Sequence, residues 1–518
     1  MLAELNVLRK GKVALVHMKS SEIGCPFKNW LLPFALADRK RSFLRLKSEP
    51  PSRLRSGKTC YAVRPNSNSN VLFPVFTGHP SPQNAPRRTM KQRQKRRDGG
   101  GPGSTEQVHQ LAPDPSQSIP VVVVKNRISS TAVFRKMIDS VDGAKAGDLV
   151  AVYTKAKQLV GYGLYNSRSE MALRMLSRSQ DLPDDNFWDS KLDNAVQLRR
   201  DILKLDEVTD TYRVVHAEAD GLPGLVIDRF GDVLSAEAFS LGMYRRGIAI
   251  LDRLAKRLGT KHTILQTSPL FSAQEGFHPA TIKSQGCPDE LVVQEYGTRF
   301  KVKFSGGHKT GFFCDQRDNR RQLASFCEGK SVLDLCCYTG GFAIQAMKLG
   351  KAKEVIGVDL DEAPLAVAKE NANLNQVRAR FVQSDAFNYM RDMLAAKKQF
   401  DVVVLDPPKL IRTRMEIEEG TRKHFDLNRL AMRLVKPGGV LLSCTCAGLL
   451  SDFEFQKLLC NGARQAGQET SPAMDGKAAR HAARDMQIIA KTGAAPCHPV
   501  GGNNPETEYL KATWMVFR

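Results

Sequence analysis

Ser331-Val-Leu-Asp-Leu-Cys-Cys-Tyr-Thr-Gly-Gly-Phe342 decides how the last third of this 518-residue chain is read. A short, mostly apolar strand runs into a glycine-containing turn, and a helix-forming stretch follows over 342–349. Glycine in that turn lets the backbone approach a ligand held at the helix N-terminus. The turn reads Thr-Gly-Gly, with no G-x-G-x-x-G frame, so the fingerprint of a dinucleotide-binding enzyme is absent. Three more apolar segments end in a carboxylate: Glu354-Val-Ile-Gly-Val-Asp359, Ala379-Arg-Phe-Val-Gln-Ser-Asp385 and Phe400-Asp-Val-Val-Val-Leu-Asp-Pro-Pro-Lys409. This rhythm of strand and helix predicts an α/β sheet from about residue 330 onward. Asp334, Asp359, Asp385 and Asp406 then fall along the carboxyl edge of one parallel sheet, where open α/β folds bind ligands. Asp359 can accept both hydroxyls of a ribose, and Asp385 is placed to meet an adenine amino group.

Upstream, short apolar strands at Val121-Val-Val-Val124, 148–153, 159–165 and 171–176, with Gly and Asn between them, predict a small β-barrel. Residues 190–205 place Leu192, Ala195, Val196 and Leu203 at helical spacing, and strands follow at 212–217 and 225–227. A second helix over about 243–258 and a hairpin around Tyr296-Gly-Thr298 close a middle α+β region. The segment from 1 to about 117 is rich in Arg, Lys, Ser and Pro, has no sustained period, and reads as a targeting or disordered extension. The formal charge of +23 is concentrated there: the first hundred residues hold 21 Lys/Arg against 5 Asp/Glu. The rest is moderately basic, which is compatible with a polyanionic partner without demonstrating one. An organelle transit peptide, for chloroplast or mitochondrion, fits the extension, while Arg87-Arg88 and Lys91-Gln-Arg-Gln-Lys-Arg-Arg97 offer a nuclear address as the alternative. The length predicts about three domains, and 42% hydrophobic residues supply sizeable cores, which excludes a globally disordered chain. No apolar run reaches the about eighteen residues a membrane span needs. The 11 scattered cysteines, with no secretory h-region, favour reduced thiols over a disulfide framework.

Further motifs narrow the reading: His308-Lys-Thr-Gly-Phe-Phe-Cys-Asp-Gln-Arg-Asp-Asn-Arg320, Tyr338-Thr-Gly-Gly-Phe342, Asp406-Pro-Pro-Lys409, Cys446-Ala-Gly-Leu449, His498-Pro499 and Tyr509-Leu-Lys511. Glu218-Ala-Asp-Gly-Leu-Pro-Gly-Leu-Val-Ile-Asp-Arg-Phe-Gly231 joins them in the middle region. On these residues the chain resembles class I S-adenosylmethionine-dependent methyltransferases, and more narrowly the bacterial RlmI-type large-subunit rRNA cytosine-C5 methyltransferases, over about 119–518. The resemblance implies an α/β protein with a C-terminal class I (Rossmann-like) methyltransferase sheet at 305–518, a PUA-like RNA-binding barrel at 119–190, a central α+β domain at 191–304 and a disordered extension at 1–118. It further implies S-adenosylmethionine as cofactor, no metal, large-subunit rRNA as partner and no membrane, and leaves the oligomeric state open, a homodimer included. The cofactor residues implied are Asp334, Tyr338, Thr339, Gly340, Gly341, Asp359, Asp385 and Asp406, with Gln316 and Arg317 reaching the methionine moiety. One departure stands in the barrel: the family usually has His-Pro-Trp-Val-Phe where this chain has Thr131-Ala-Val-Phe134, so whether the barrel holds RNA is left open.

Cytosine C5 is a poor nucleophile, and methylation there needs a thiolate to add at the neighbouring carbon 6. The strand Val440-Leu-Leu-Ser-Cys-Thr-Cys446 should end beside Asp406, with Cys444 and Cys446 on one face. The family match makes Cys446 the nucleophile and Cys444 the fallback, against the plain alternative of inert buried thiols. Lys409 occupies the place after the double proline where some RNA cytosine-C5 enzymes carry a second Cys, so no second-thiol release step is expected from that position. Asp406 is the candidate to bind the base edge, and Lys409 either meets phosphate, assists at the base or is a solvated loop residue. His498 reads as a structural histidine rather than a base. No Cys-x-x-Cys pair points to zinc, and His308-Lys-Thr-Gly311 lacks the frame of a phosphate loop. Two rivals remain: methylation of a purine amino group, which Lys409-Leu410 after the double proline argues against, and a catalytically inactive RNA-binding or assembly factor, which the intact Thr339-Gly340-Gly341, Asp359 and Asp406 argue against.

Overall fold

The computed structural model describes residues 110–518 except 115, 269, 305–311 and 469–483. The basic cluster at 87–97, the extension up to residue 109 and the His308-Lys-Thr-Gly311 run therefore lie outside the described residues.

Six strands come first: β1 Val121–Val124, β2 Ala132–Val133, β3 Ile138–Asp142, β4 Leu149–Thr154, β5 Leu159–Tyr165 and β6 Leu173–Ser177. They form one mixed sheet in the order β2-β6-β5-β4-β1-β3, with β1 parallel to β4 and antiparallel to β3. The alternation of a strand explains why β4 is apolar throughout. Its Val150 and Val152 enter the sheet's own core, whereas Leu149 and Ala151 enter the core of the region that follows.

That region holds α1 Asp185–Gln197, β7 Thr211–His216, β8 Leu225–Phe230, β9 Val233–Ala238, α2 Leu241–Leu258, β10 His262–Thr267, α3 Phe271–Glu275 and β11 Ile282–Lys283. Its strands lie in the order β11-β10-β9-β8-β7. The helix expected over 190–205 starts earlier and ends earlier. Asp184 caps α1 by accepting from the Phe187 N–H at 2.8 Å, and after Gln197 the backbone widens into a π turn, Leu198–Ile202. The buried Arg199 lies in that turn, bidentate to Asp220 at 2.7 and 2.9 Å. Leu111, read as part of the extension, is 2% exposed and packs into this core with Leu192 and Tyr244, so ordered chain begins ahead of the 118/119 boundary.

The hairpin of β12 Glu290–Glu295 and β13 Thr298–Lys303 turns at Tyr296 and Gly297, both with positive φ (49° and 76°), as a tight two-residue loop requires. It does not join the central sheet. It bridges two regions: Glu295 pairs with Thr209 and Gln294 bonds to Thr209 and Asp210 on the central side, while Asn371 and Asn375 accept from the Lys301 and Arg299 N–H groups and Glu295 forms a buried ion pair with Arg320.

The C-terminal region comprises α4 Arg317–Ala324, β14 Ser331–Leu335, α5 Gly341–Lys348, β15 Glu354–Asp359, α6 Glu362–Leu374, β16 Arg380–Gln383, α7 Ala386–Ala395, β17 Phe400–Leu405, α8 Ile417–Arg433, β18 Val435–Thr445, α9 Asp452–Gln468, β19 Met486–Thr492 and β20 Lys511–Phe517. The strand order is β16-β15-β14-β17-β18-β20-β19, parallel from β16 through β18 with β20 antiparallel to its neighbours. The order reverses between β14 and β17, and a ligand crevice opens at such a switch point. Apolar side chains fill both faces, with Leu333, Leu335, Val403 and Leu405 against α8 and α9, and Val332, Val402 and Val404 against α5.

Candidate active site

The crevice opens because two neighbouring strands diverge. The Asp406 N–H makes a last bond to the Leu335 carbonyl at 3.3 Å; beyond it Pro407 can donate nothing to a ladder, and β14 turns away into its loop. That loop carries positive φ at Cys336 (62°), Tyr338 (50°) and Gly340 (80°). Left-handed backbone costs a non-glycine residue about 1 kcal/mol or more, so the loop must be held by its surroundings. It is: the Tyr338 N–H donates to Asp359 Oδ2 at 2.8 Å, Asn371 Nδ2 donates to the Thr339 carbonyl at 3.0 Å, and the Ala343 N–H donates to Asp334 Oδ2 at 3.0 Å. A Cβ on Gly340 would lie 3.1 Å from Phe381 and 3.2 Å from Ala368, so glycine is required both by φ and by space.

The four acids converge. Burial holds the Cys336 thiol well above its ordinary range, and Asp359, Asp406, Asp334 and Asp385 all add to the effect. Their roles differ. Asp359 is half-buried at the end of β15 and braces the loop while facing the crevice edge. Asp334 is fully buried beneath the loop, and burial raises its pKa well above the carboxylate range. It clamps the first turn of α5, its Oδ1 has no hydrogen-bond partner among the described residues, and it is a brace rather than a group presented at the surface of the crevice. Asp385 lies two residues past β16 and caps α7 through the Asn388 N–H at 3.1 Å.

Gln316 and Arg317 part company because successive side chains at the start of a helix diverge by about 100°. Arg317 is buried, donating to Asp318 at 3.1 Å and to Cys497 Sγ at 3.4 Å, which ties it to the C-terminal tail. Gln316 points into the crevice and donates to Asp406 Oδ2 at 3.0 Å. Its amide orientation is dictated from a distance. Trp514 Nε1–H can only donate, and does so to Thr492 Oγ1 at 2.9 Å; the Thr492 hydroxyl then donates to Asn319 Oδ1 at 2.7 Å. Asn319 Nδ2 donates to the Gly493 carbonyl and, at 2.6 Å, to Gln316 Oε1, which leaves Gln316 Nε2 as the donor facing Asp406. The sequence reading missed this relay, since Asn319 is only a polar helix residue until Thr492 and Trp514 arrive.

The cysteines also separate. Leu405 pairs with Ser443, so Cys444 comes level with Asp406 and Cys446 lies just past the end of β18. Cys444 is fully buried, and burial, with Asp406 next, pushes its thiol well above the ordinary range. Cys446 is half-buried, packed at the margin of the same cluster. Lys511, opposite Thr445 on β20, lies near it; burial lowers the ammonium pKa, with Glu508, Asp452 and Cys446 opposing. Lys409 is exposed on the loop after Pro408. His498 is buried against His216 (ring centroids 5.2 Å apart) and Cys497, a packing position. Asp315, which accepts from the Tyr509 hydroxyl at 2.6 Å, sits beside this cluster and had no sequence signal beyond the quoted motifs.

A family model described as S-adenosylmethionine-dependent methyltransferase matches residues 274–468, and one described as a PUA-like domain matches 130–178. A ribosomal RNA large subunit methyltransferase I from Aeromonas hydrophila is 35% identical over 409 residues, covering 76% of this chain and 98% of that one. Another, from Pseudoalteromonas atlantica, is 33% identical over 386 residues, covering 73% and 93%. The chain belongs to the ribosomal RNA large subunit methyltransferase I family. A Streptococcus mutans structure assigned as a SAM-dependent methyltransferase shares the family's fold here with a TM-score of 0.62 at 17% identity, covering 77% of this chain and all of that one. A second structure, of a methyltransferase complexed with SAH, gives 0.61 at 18% identity. As a member of the family the protein is a SAM-dependent methyltransferase, and the crevice fits the cofactor: clustered carboxylates complement a sulfonium and an ammonium, and the open loop 338–341 precedes α5. Asp359 and the backbone of Thr339, Gly340 and Gly341 are the groups that would hold it there.

Proposed function

We propose that this protein forms 5-methylcytidine in large-subunit ribosomal RNA, with Cys446 as the nucleophile, inside a chloroplast or mitochondrion. The observation that carries the reading is the half-buried Cys446 just past the end of β18, two residues beyond a Cys444 that stands level with Asp406 and is sealed in the core. Relatives named ribosomal RNA large subunit methyltransferase I, aligned over nearly their whole length, support the substrate class, and the PUA-like domain supports RNA as the partner. S-adenosylmethionine, when bound, supplies an electrophilic methyl group. Cys446 Sγ adds as thiolate to C6 of the cytosine, and the electron pair of the C5–C6 bond moves to C5 and makes it enamine-like. Asp406, held by Gln316, accepts from the exocyclic amine or a protonated ring nitrogen and so stabilises the adduct. After C5 is methylated, the C5 proton passes to solvent water, the C–H electron pair restores the C5–C6 double bond, and the S–C6 pair returns to sulfur, which frees the Cys446 thiolate and the aromatic ring. Lys409, exposed at the mouth, meets phosphate.

The test incubates the protein with labelled S-adenosylmethionine and unmodified large-subunit rRNA, beside Cys446→Ala and Cys444→Ala, and digests the RNA to nucleosides. Labelled 5-methylcytidine that disappears with Cys446→Ala alone is the expected result. A methylated purine, or full activity in both variants, sinks the covalent mechanism. For the location, the basic, acid-poor first hundred residues support import, and a reporter carrying residues 1–118 is expected in the organelle. An exclusively nuclear signal reverses that assignment.

A further inference from the structure

One large cavity lies away from the catalytic edge. It measures about 1320 Å³ and is walled by the segment before β2, the ends of β4 and β6, one face of α1, the turn after β7 and the tail loop at Asn503 and Asn504. Small-molecule sites run to roughly 300–1,000 Å³, so this cleft has room for a stretch of polymer.

Its charges are unbalanced in one direction. Arg127, Arg178 and Lys191 line it, and none has an ion-pair partner among the described residues. The two acids of the lining are already neutralised: Glu218 faces Arg174 at 3.7 Å, and Asp220 is held by the buried Arg199. Two of the cations are pre-positioned. Arg178 donates to the carbonyls of Ile128, Ser129 and Ser130 at 3.0, 2.8 and 3.0 Å, which fixes its guanidinium plane. Lys191 lies over the Phe187 ring, 5.4 Å from its centroid, and reaches across Gly221, where a Cβ would stand 3.0 Å from its Nζ. A side chain at 221 would push that ammonium out of the cleft, and the φ of +72° at Gly221 disfavours one in any case. Ordered cations lose less entropy when they bind an anion. The rest of the lining divides between hydroxyl and amide groups, Ser129, Thr154, Gln158 and Asn194 among them, and aliphatic groups such as Leu159 and Leu198, with no aromatic ring for a base to stack on. Such a surface suits phosphate and sugar rather than base edges.

We propose that this cleft is a second RNA site, which holds the sugar–phosphate backbone of the substrate RNA without reading its sequence. The proposal rests on RNA as the substrate and is independent of which atom is methylated. The cleft is tied to the catalytic region. Thr131 Oγ1 donates to Asn504 Oδ1 at 3.1 Å, and Arg199, which holds Asp220, also donates to the Cys497 carbonyl at 2.8 Å, so backbone seated here is fixed relative to the tail beside the active site.

The experiment measures the affinity of the full-length protein for a large-subunit rRNA fragment over a salt series, for wild type, the Arg127→Gln/Lys191→Gln double variant and Lys256→Gln on the exposed face of α2 as a control. Each lost phosphate contact should reduce the slope of log K against log salt by about 0.7–0.9, so the double variant is expected to lose about 1.5 and to bind roughly tenfold more weakly, while the control matches wild type. Methyl transfer to a short oligonucleotide spanning only the target nucleotide should be unchanged in the double variant, as should SAH binding, which also verifies its fold. An unchanged slope and affinity overturn the assignment and leave the cleft to a different occupant, such as a protein. Failure of the cytosine-C5 reading would show separately, as the wrong nucleoside from the wild-type enzyme, because the affinity series needs no turnover.

Discussion

Replacing Gln316 by a glutamate tests whether the relay from Trp514 to Asp406 orients the carboxylate proposed to bind the base. The substitution is nearly isosteric, and Asn319 still donates to the outer oxygen, so any proton on the introduced carboxyl sits on the oxygen that faces Asp406. At the observed 3.0 Å separation, two ionised carboxylates would repel by about 5 kcal/mol at an effective dielectric constant near 20. That corresponds to about 4 pH units, so the pair is expected to retain one proton up to about pH 8. In the singly protonated state the introduced carboxyl donates to Asp406 as the Gln316 amide does. The sign follows: Gln316→Glu should keep most of its kcat/KM below about pH 7 and lose it as the pH rises through about 8, where wild type has no such limb. Gln316→Leu removes a hydrogen bond to a charged acceptor, worth about 1.5–3 kcal/mol, and should lose about 10- to 150-fold in kcat/KM at every pH. The assay is kcat/KM for methyl transfer to rRNA from about pH 5.5 to 9, in parallel with SAH binding. A Gln316→Glu profile that superimposes on wild type refutes the reasoning, because the amide would then not be bonded to a carboxylate that matters.

Gly340→Ala should weaken SAH binding by about 1–2 kcal/mol, from left-handed strain and the 3.1 Å approach to Phe381, and isothermal titration would read it directly. Glu295→Ala leaves Arg320 buried without its partner and should lower the unfolding free energy by about 3–5 kcal/mol in denaturant titration, whereas a loss under about 1 kcal/mol would mean the hairpin is not anchored by this pair. Burial opposes ionisation of Asp401, but hydrogen bonds from Ser331 and then Lys436 outweigh it and hold the pKa at about 2. Because the folded value is depressed, this carboxylate stabilises the fold above the ordinary value and loses its contribution as the pH falls from about 4 toward 2. Asp401→Asn should therefore cost about 2 kcal/mol at neutral pH and flatten the acid limb of the stability curve over that window.

The strand-and-turn pattern of the last two hundred residues was legible because its signals are local. Apolar runs closed by acids, the Thr-Gly-Gly turn and Asp-Pro-Pro each act on their own backbone, and the sheet order then places them on one edge. Where the reading went wrong, distant chain had intervened. The helix over 190–205 broke at Gln197 because Arg199 is drawn inward by Asp220 and the Cys497 carbonyl, about three hundred residues on. The β12–β13 hairpin turned at the expected residues and is bonded to the central region at 208–210, but it also joins the catalytic helices, because the buried ion pair to Arg320 and the bonds to Asn371 and Asn375 are invisible to periodicity.

The sequence by itself determined the class of fold, the acidic carboxyl edge and the pair of cysteines at the end of β18, since period, turn chemistry and strand-end residues are properties of short segments. Only the tertiary structure decided which of those groups are presented and which are braces. Asp334 and Asp359 are equivalent as strand-end acids, and Cys444 and Cys446 as strand-end thiols, until packing buries one of each pair. Gln316 and Arg317 are neighbours in the chain, but one is turned toward Asp406 by a relay that reaches Thr492 and Trp514, and the other is locked against Cys497. Burial and hydrogen-bond direction are set by contacts between residues far apart in the chain, and no local pattern carries that information.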